Sequence, residues 1–136
     1  MSVVIDCRYE GDLHCTAVHG PSGDRIVTDA PVDNHGKGEH FSPTDLVAAS
    51  IGVCALTIMG IAARPRGIDI TGATVRVTKE MGATPRRHIA KLTAVFRLPA
   101  RLDARERALM EQAARSCPVQ ASLGELTRLE LVFEYA

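Results

Sequence analysis

One helical segment decides the fold of this chain, and it begins at residue 41 with the sequence FSPTDLVAASIGVC. Ser42 can cap a helix, Pro43 suits the first helical position, and Asp45 stands three residues after the cap. Helix-compatible residues then continue to Ala63, where the sequence RPRG at residues 64–67 provides a stop. The sequence therefore predicts a helix from Pro43 to about Ala63.

This helix carries no charge from Leu46 to Ala63, a run of 18 residues. That length reaches the lower limit for a membrane span, but small and hydroxyl residues dilute the run and nothing else in the sequence is typical of a membrane protein. A helix that is apolar all round is also typical of the buried centre of a soluble fold. Because one sheet in so small a domain cannot cover every face of the helix, we expect a homodimer.

Strand patterns lie on both sides of the helix. Alternating residues and two turns before residue 28 predict a three-stranded meander, and residues 71–79 and 89–98 alternate as two more strands. A helix with a cap formed by Asp103 and Glu106 follows, then a short helical turn after Cys117 and a last strand over residues 127–135. This order predicts an α+β fold with segregated helices, in a single domain over residues 1–136.

Composition limits the partners and the compartment. The 16 basic residues balance 16 acidic ones, so the charge gives no sign of nucleic acid or an anionic membrane as a partner. The first residues lack the pattern of a secretory signal, so we expect a cytoplasmic protein. Thiols are kept reduced there, and the four cysteines are therefore structural, metal-binding or redox-active rather than a static disulfide framework.

The cysteines differ in setting. Cys54 lies mid-helix, where it suits either a small buried hydrophobe or a functional thiol. Cys117 precedes Pro118 at a predicted helix start, where the helix dipole favours a thiolate, although a plain cap or turn residue also fits. Cys7 and Cys15 fall symmetrically about Gly11, so we expect them to face each other across a hairpin as inert core residues.

Other chemistry has little support in the sequence. No two cysteines have zinc-finger spacing, and a metal site built from Cys54, Cys117, His35 and His40 is conceivable but weakly indicated. No glycine-rich phosphate loop and no nucleophile elbow are present. We therefore expect neither a cofactor nor a metal.

Two motifs resemble those of the OsmC/Ohr family. The segment that ends in Cys54 resembles the start of that family's central helix, and the sequence CPVQASL at residues 117–123 resembles its second motif. Residues 79–89 are similar to its central hairpin, and residues 129–135 to its last strand. The resemblance covers nearly the whole chain, and the two motifs occur in the family's order.

The resemblance implies an intertwined homodimer with active sites at the subunit interface. Cys54 would be the peroxidatic cysteine and Cys117 the resolving one, in an enzyme that reduces organic hydroperoxides during oxidative stress. The expected substrate is a small apolar hydroperoxide, and an external dithiol, of lipoyl type in related proteins, would restore both thiols.

One departure from the family pattern opens an alternative. The better-known peroxidases of this family carry a glutamate ten residues before the first cysteine, where this chain has Thr44. Asp45 is adjacent and could replace that glutamate, although it suits a helix cap better, and Arg25 is a candidate for the cation that activates Cys54. The alternative function is an OsmC-like binding or sensing protein with little catalytic activity.

Overall fold

The chain forms two compact units in a computed structural model that describes residues 1–136. The first unit is Met1–Leu46 and the second is Val47–Ala136. Six strands and three helices make up the α+β architecture that the sequence predicts. In chain order they are β1 (Ile5–Gly11), β2 (His14–His19), β3 (Arg25–Asp29), α1 (Pro43–Ala63), β4 (Thr74–Gly82), β5 (His88–Leu98), α2 (Ala104–Arg115), α3 (Pro118–Ala121) and β6 (Arg128–Tyr135).

The first unit contains the predicted meander, with β2 in the middle of an antiparallel sheet. The predicted register of its first hairpin is wrong, because Cys7 pairs with Ala17 and Tyr9 pairs with Cys15. The reason is the turn, which lies at Asp12 and Leu13, both with positive φ, and not around Gly11. Cys7 is exposed and Cys15 is half-buried, so Cys7 does not fill a core within this chain.

The start of α1 follows the capping prediction. The backbone N–H of Asp45 donates to Ser42 Oγ at 3.1 Å, and the backbone N–H of Ser42 donates to Asp45 Oδ2 at 2.9 Å. These two bonds satisfy donors that the first turn of a helix leaves without partners. The helix ends at Ala63 in a 3₁₀ turn, and Gly67 closes it with a φ of 67°.

The second unit is built on a mixed sheet with β5 in the centre. β4 pairs antiparallel with β5, whereas β6 pairs parallel with it. The Phe96 and Phe133 rings stack at 5.1 Å on neighbouring strands of this sheet. The main core joins the second half of α1 to the sheet and to α2, whose predicted Asp103–Glu106 capping box is present. Its buried members are Ala55, Met59, Ala63, Ala94, Phe96, Leu98, Leu102, Met110, Ala113 and Ala114.

Helix α1 is only partly covered by its own chain. Six of its 21 residues are buried, whereas Val53 and Ile61 remain 61% and 64% exposed. Residues 43–66 are long and apolar enough to cross a membrane by length and composition alone. The buried side of the helix packs in the cores of the second unit, however, which gives its apolar composition a role within the fold.

Gly52 allows α1 to approach the sheet closely. A methyl group at Gly52 would lie 2.9 Å from Val75 Cγ1 and 3.1 Å from Val77 Cγ2, closer than carbon atoms normally pack. Both valines belong to β4 and are stiff side chains. The absence of a side chain at this position therefore fixes the height of the helix above the sheet, two residues before Cys54.

We expect Gly52→Ala to destabilise the protein, and Gly60→Ala to serve as its matched control. Overpacking costs about 1–3 kcal/mol, while alanine gains up to about 1 kcal/mol in helix propensity, so the net loss should be about 1 kcal/mol. At Gly60 nothing lies within 4 Å of an added methyl group, so only the propensity gain should remain. Urea unfolding of both variants measures the difference, and equal stabilities would contradict this account of the contact.

Candidate active site

Cys54 and Cys117 are brought together within the second unit. Their side chains are in hydrogen-bond contact, although 63 positions separate them in the sequence. Cys54 lies in the middle of α1, and Cys117 is the residue that precedes the first turn of α3. Cys54 is half-buried, whereas Cys117 is only 2% exposed. The two cysteines that the family resemblance pairs are therefore neighbours in the fold, and their catalytic roles stay predictions.

Burial raises the pKa of the Cys117 thiol, and the hydrogen bond with Cys54 raises it further. The backbone N–H groups of Val119 and Gln120 act in the opposite direction but do not outweigh burial. The helix start thus acts on Cys117 in the direction that the sequence predicts, but burial outweighs it. A helix of four residues offers few aligned N–H groups. The thiolate therefore loses more stabilisation when water is excluded than these groups provide.

An apolar cluster packs together the segments of α1 and α3 that carry the two cysteines. It links the first half of α1 to the sheet and to α3, since Ile51 is buried in it and Val119 and Leu123 pack against it. Ile51 stands one helical turn before Cys54, and Val119 stands two residues after Cys117. The cluster therefore holds α3 against α1 and keeps the two sulfurs together. Its buried members are Ala48, Ile51, Ile89 and Leu92.

The other predicted site residues lie in the first unit. Arg25 begins β3 and is exposed. Asp45 is engaged with Ser42 in the helix cap, which is the structural role that the sequence favoured for it. Thr44 lies beside the same cap, with its Oγ1 3.2 Å from Ser42 Oγ. The catalytic roles of Arg25 and Asp45 stay predictions.

Arg115, two residues before Cys117, has its guanidinium 5.3 Å from the centre of the Phe133 ring. The principal influences on the Cys117 thiol are burial, Cys54 and backbone N–H groups, and none of them is a cation. The geometry therefore defines a two-cysteine site on an α+β fold, in which one sulfur is half-buried and its neighbour is buried and protonated.

The chain belongs to the OsmC-like protein family, whose sequence profile matches residues 36–132. The match includes both cysteines of the site and the hairpin between them. No curated protein matches the sequence at a significant level. The family resemblance drawn from the two cysteine motifs is thus confirmed.

Several solved structures share the fold. A protein from Psychrobacter arcticus, provisionally described as an osmotic-stress-induced and detoxification-response protein, is 42% identical, with a TM-score of 0.90 over 96% of this chain and 94% of that one. An OsmC-like protein from Mycoplasma pneumoniae is 14% identical, with a TM-score of 0.82 over 100% and 98% of the two chains. The organic hydroperoxide resistance protein OhrB of Bacillus subtilis is 18% identical, with a TM-score of 0.70 over 98% of each chain. At such low identities, the last two show likeness of fold alone.

The raised pKa of Cys117 predicts an alkaline loss of stability. A thiol whose pKa is raised by folding stabilises the protein fully below its unfolded value, here 9.0, and that contribution is lost as the pH rises toward the folded pKa. Linkage limits the loss to about 1.4 kcal/mol per pH unit for one proton. Urea unfolding under reducing conditions between pH 8 and about 10 measures it. Above that window Tyr135, whose pKa burial and Glu111 raise to about 12, adds a loss of the same sign.

Cys117→Ala should flatten this pH dependence, while Cys7→Ser should leave it unchanged because Cys7 is exposed. The attribution to Cys117 fails if Cys117→Ala keeps the full slope.

Proposed function

We propose that this protein is a thiol-dependent peroxidase that reduces organic hydroperoxides through a cycle between Cys54 and Cys117. The observation that carries the proposal is the contact between a half-buried and a buried cysteine side chain. Two neighbouring thiols can form a disulfide when their side chains move until the sulfurs are about 2.05 Å apart. A stable disulfide is disfavoured in a reducing compartment, so such a pair suits a transient redox cycle.

The difference in burial assigns the two roles. Cys54 is the more exposed sulfur, so it is the one that a hydroperoxide can reach. Cys117 keeps its proton, since burial and the contact with Cys54 raise its pKa, and its S–H group can therefore donate to the Cys54 sulfur. Cys54 is thus the peroxidatic cysteine and Cys117 the resolving one.

The proposed catalytic cycle has three steps. The Cys54 thiolate attacks the terminal oxygen of the hydroperoxide, the O–O bond breaks, and the alkoxide takes a proton and leaves as the alcohol, with a sulfenic acid on Cys54. The Cys117 sulfur then attacks the Cys54 sulfur, loses its proton and releases water as the disulfide forms. An external dithiol reduces the disulfide by exchange and is itself oxidised. A lipoyl-type dithiol is the reductant that we propose.

The surroundings favour an apolar substrate. Aliphatic side chains from α1, α3 and the sheet form the cluster next to the pair, so an organic hydroperoxide gains more from contact there than hydrogen peroxide does. The family and the fold shared with the B. subtilis organic hydroperoxide resistance protein support a role in the peroxide stress response. The description of the P. arcticus relative in terms of osmotic stress and detoxification is in keeping with that role.

The proposal also includes a homodimeric assembly and a cytoplasmic location. Val53 and Ile61 leave an exposed apolar side on α1, next to the half-buried Cys54. A second copy that covers this side would exclude water around Cys54 and would place the active sites at the subunit interface. We propose such a homodimer, in the cytoplasm, where dithiol reductants are available.

The decisive test gives the reduced protein one equivalent of cumene hydroperoxide and maps the thiols by peptide mass spectrometry against time. A Cys54–Cys117 disulfide should form within seconds, while Cys7 and Cys15 stay free. Cys54→Ser should abolish multiple turnover with a dithiol reductant, since it removes the nucleophile. Cys117→Ser should complete one turnover and then accumulate sulfinic acid at Cys54 with excess peroxide, because nothing resolves the sulfenic acid.

Cys7→Ser and Cys15→Ser are the matched controls and should retain full turnover. Full turnover in the Cys54→Ser variant would refute the peroxidase. Slow oxidation of the wild-type protein, with an apolar ligand retained in native mass spectrometry, would instead support the OsmC-like binding or sensing protein that Thr44 suggests.

A further inference from the structure

A cluster of three polar side chains lies in the first unit, and none of them is a cysteine. His14 begins β2, Asp29 ends β3, and Glu39 lies in the loop before α1. The imidazole Nε2 of His14 is 3.7 Å from Asp29 Oδ2 and also 3.7 Å from Glu39 Oε1. One donor atom from each residue lies within 4.8 Å of the other two. The cluster thus brings one imidazole and two carboxylates to a common point.

The imidazole of His14 is oriented by the backbone. Its Nδ1 lies 2.7 Å from the carbonyl oxygen of Asp12, and because a carbonyl can only accept, Nδ1 carries the proton in this bond. The other ring nitrogen, Nε2, faces the two carboxylates. A bond from the second ring nitrogen to a carbonyl is the arrangement that commonly fixes a histidine for metal binding.

Asp29 is a buried carboxylate with an unsatisfied oxygen. The residue is 1% exposed, and Oδ1 has no hydrogen-bond partner. Oδ2 accepts from the backbone N–H groups of Lys37 at 3.2 Å and Glu39 at 3.0 Å. The Glu39 N–H is the largest cause that lowers the pKa of Asp29, so this carboxyl is ionised at neutral pH. Oδ2, which faces His14, is thus already paired with the backbone, whereas the buried Oδ1 lacks a partner and is available to a bound cation.

The spacing of the three groups suits a bound cation better than direct hydrogen bonds. Nε2 stands 3.7 Å from both carboxylate oxygens, which is longer than a direct hydrogen bond of about 2.7–3.2 Å. Zinc bonds to nitrogen and oxygen of 2.0–2.2 Å place neighbouring ligands of a tetrahedral site about 3.4 Å apart. The two contacts of His14 are within a few tenths of an ångström of that spacing, and all three ligand atoms lie within 4.8 Å of one another.

We propose that His14, Asp29 and Glu39 form a binding site for a divalent transition-metal ion of the size and preference of Zn²⁺. Imidazole and carboxylate ligands suit such an ion, and three protein ligands leave a position for water or an exchangeable ligand. The ion would connect β2, β3 and the loop that leads to the α1 cap at Ser42. No sequence motif predicts the site, because its residues come from two strand ends and a loop.

The test titrates the full-length reduced protein with Zn²⁺ in competition with a chromophoric chelator. We expect one ion per chain at this site. Loss of an outer hydrogen-bond partner typically weakens metal binding 10- to 100-fold, so loss of a direct ligand in His14→Gln should weaken it by about 100-fold or more. Asp29→Asn, which keeps the size of the side chain, should have a similar effect. His19→Gln, in the same strand but bonded to Ser22, is the matched control and should bind as the wild type does.

Cobalt distinguishes this site from the cysteines without any substitution. Co²⁺ bound by His14, Asp29 and Glu39 should give weak visible bands without the near-ultraviolet thiolate charge-transfer band that cysteine ligands produce. A Cys54→Ser/Cys117→Ser variant should retain the binding. The proposal is overturned if no ion binds, if His14→Gln binds as tightly as His19→Gln, or if the charge-transfer band accompanies the bound cobalt.

Discussion

The contact between α1 and β4 at Gly52 is the constraint on which the second unit depends. Because Gly52 has no side chain, the helix packs directly on Val75 and Val77, and the residues on either side of it enter two apolar clusters. The main core joins α1 to α2, and the apolar cluster around Ile51 joins α1 to α3. Both clusters fix the position and rotation of the helix that carries Cys54 relative to the segment that carries Cys117.

Local sequence signals predicted the elements well, because their causes are local. The caps of α1 and α2 depend on residues three positions apart, and the strands depend on alternation. The register of the β1–β2 hairpin was predicted wrongly, since it depends on positive φ at Asp12 and Leu13, and leucine rarely adopts that conformation. A shift of the turn is enough to separate Cys7 from Cys15.

Some features of the candidate site could likewise be predicted from the sequence and others could not. The motifs pointed to Cys54 and Cys117, and the structure brings the two side chains into contact. The sequence could not show that burial outweighs the helix start at Cys117, because desolvation depends on neighbours that are distant in the chain. His14, Asp29 and Glu39 were missed for a related reason, since three separate segments contribute one residue each. Properties that arise from tertiary packing leave little trace in spacing.

The parallel pairing of β5 with β6 has a consequence for the growing chain. Because a ribosome makes the chain in order, β5 has only β4 beside it until α2, α3 and β6 have emerged. Its other edge meanwhile exposes unpaired backbone groups over the register from Lys91 to Leu98. Cys54, synthesised long before Cys117, spends that interval without its neighbour. Chaperone cover and a reducing environment are therefore most valuable to this protein during translation, before Cys117 has been made.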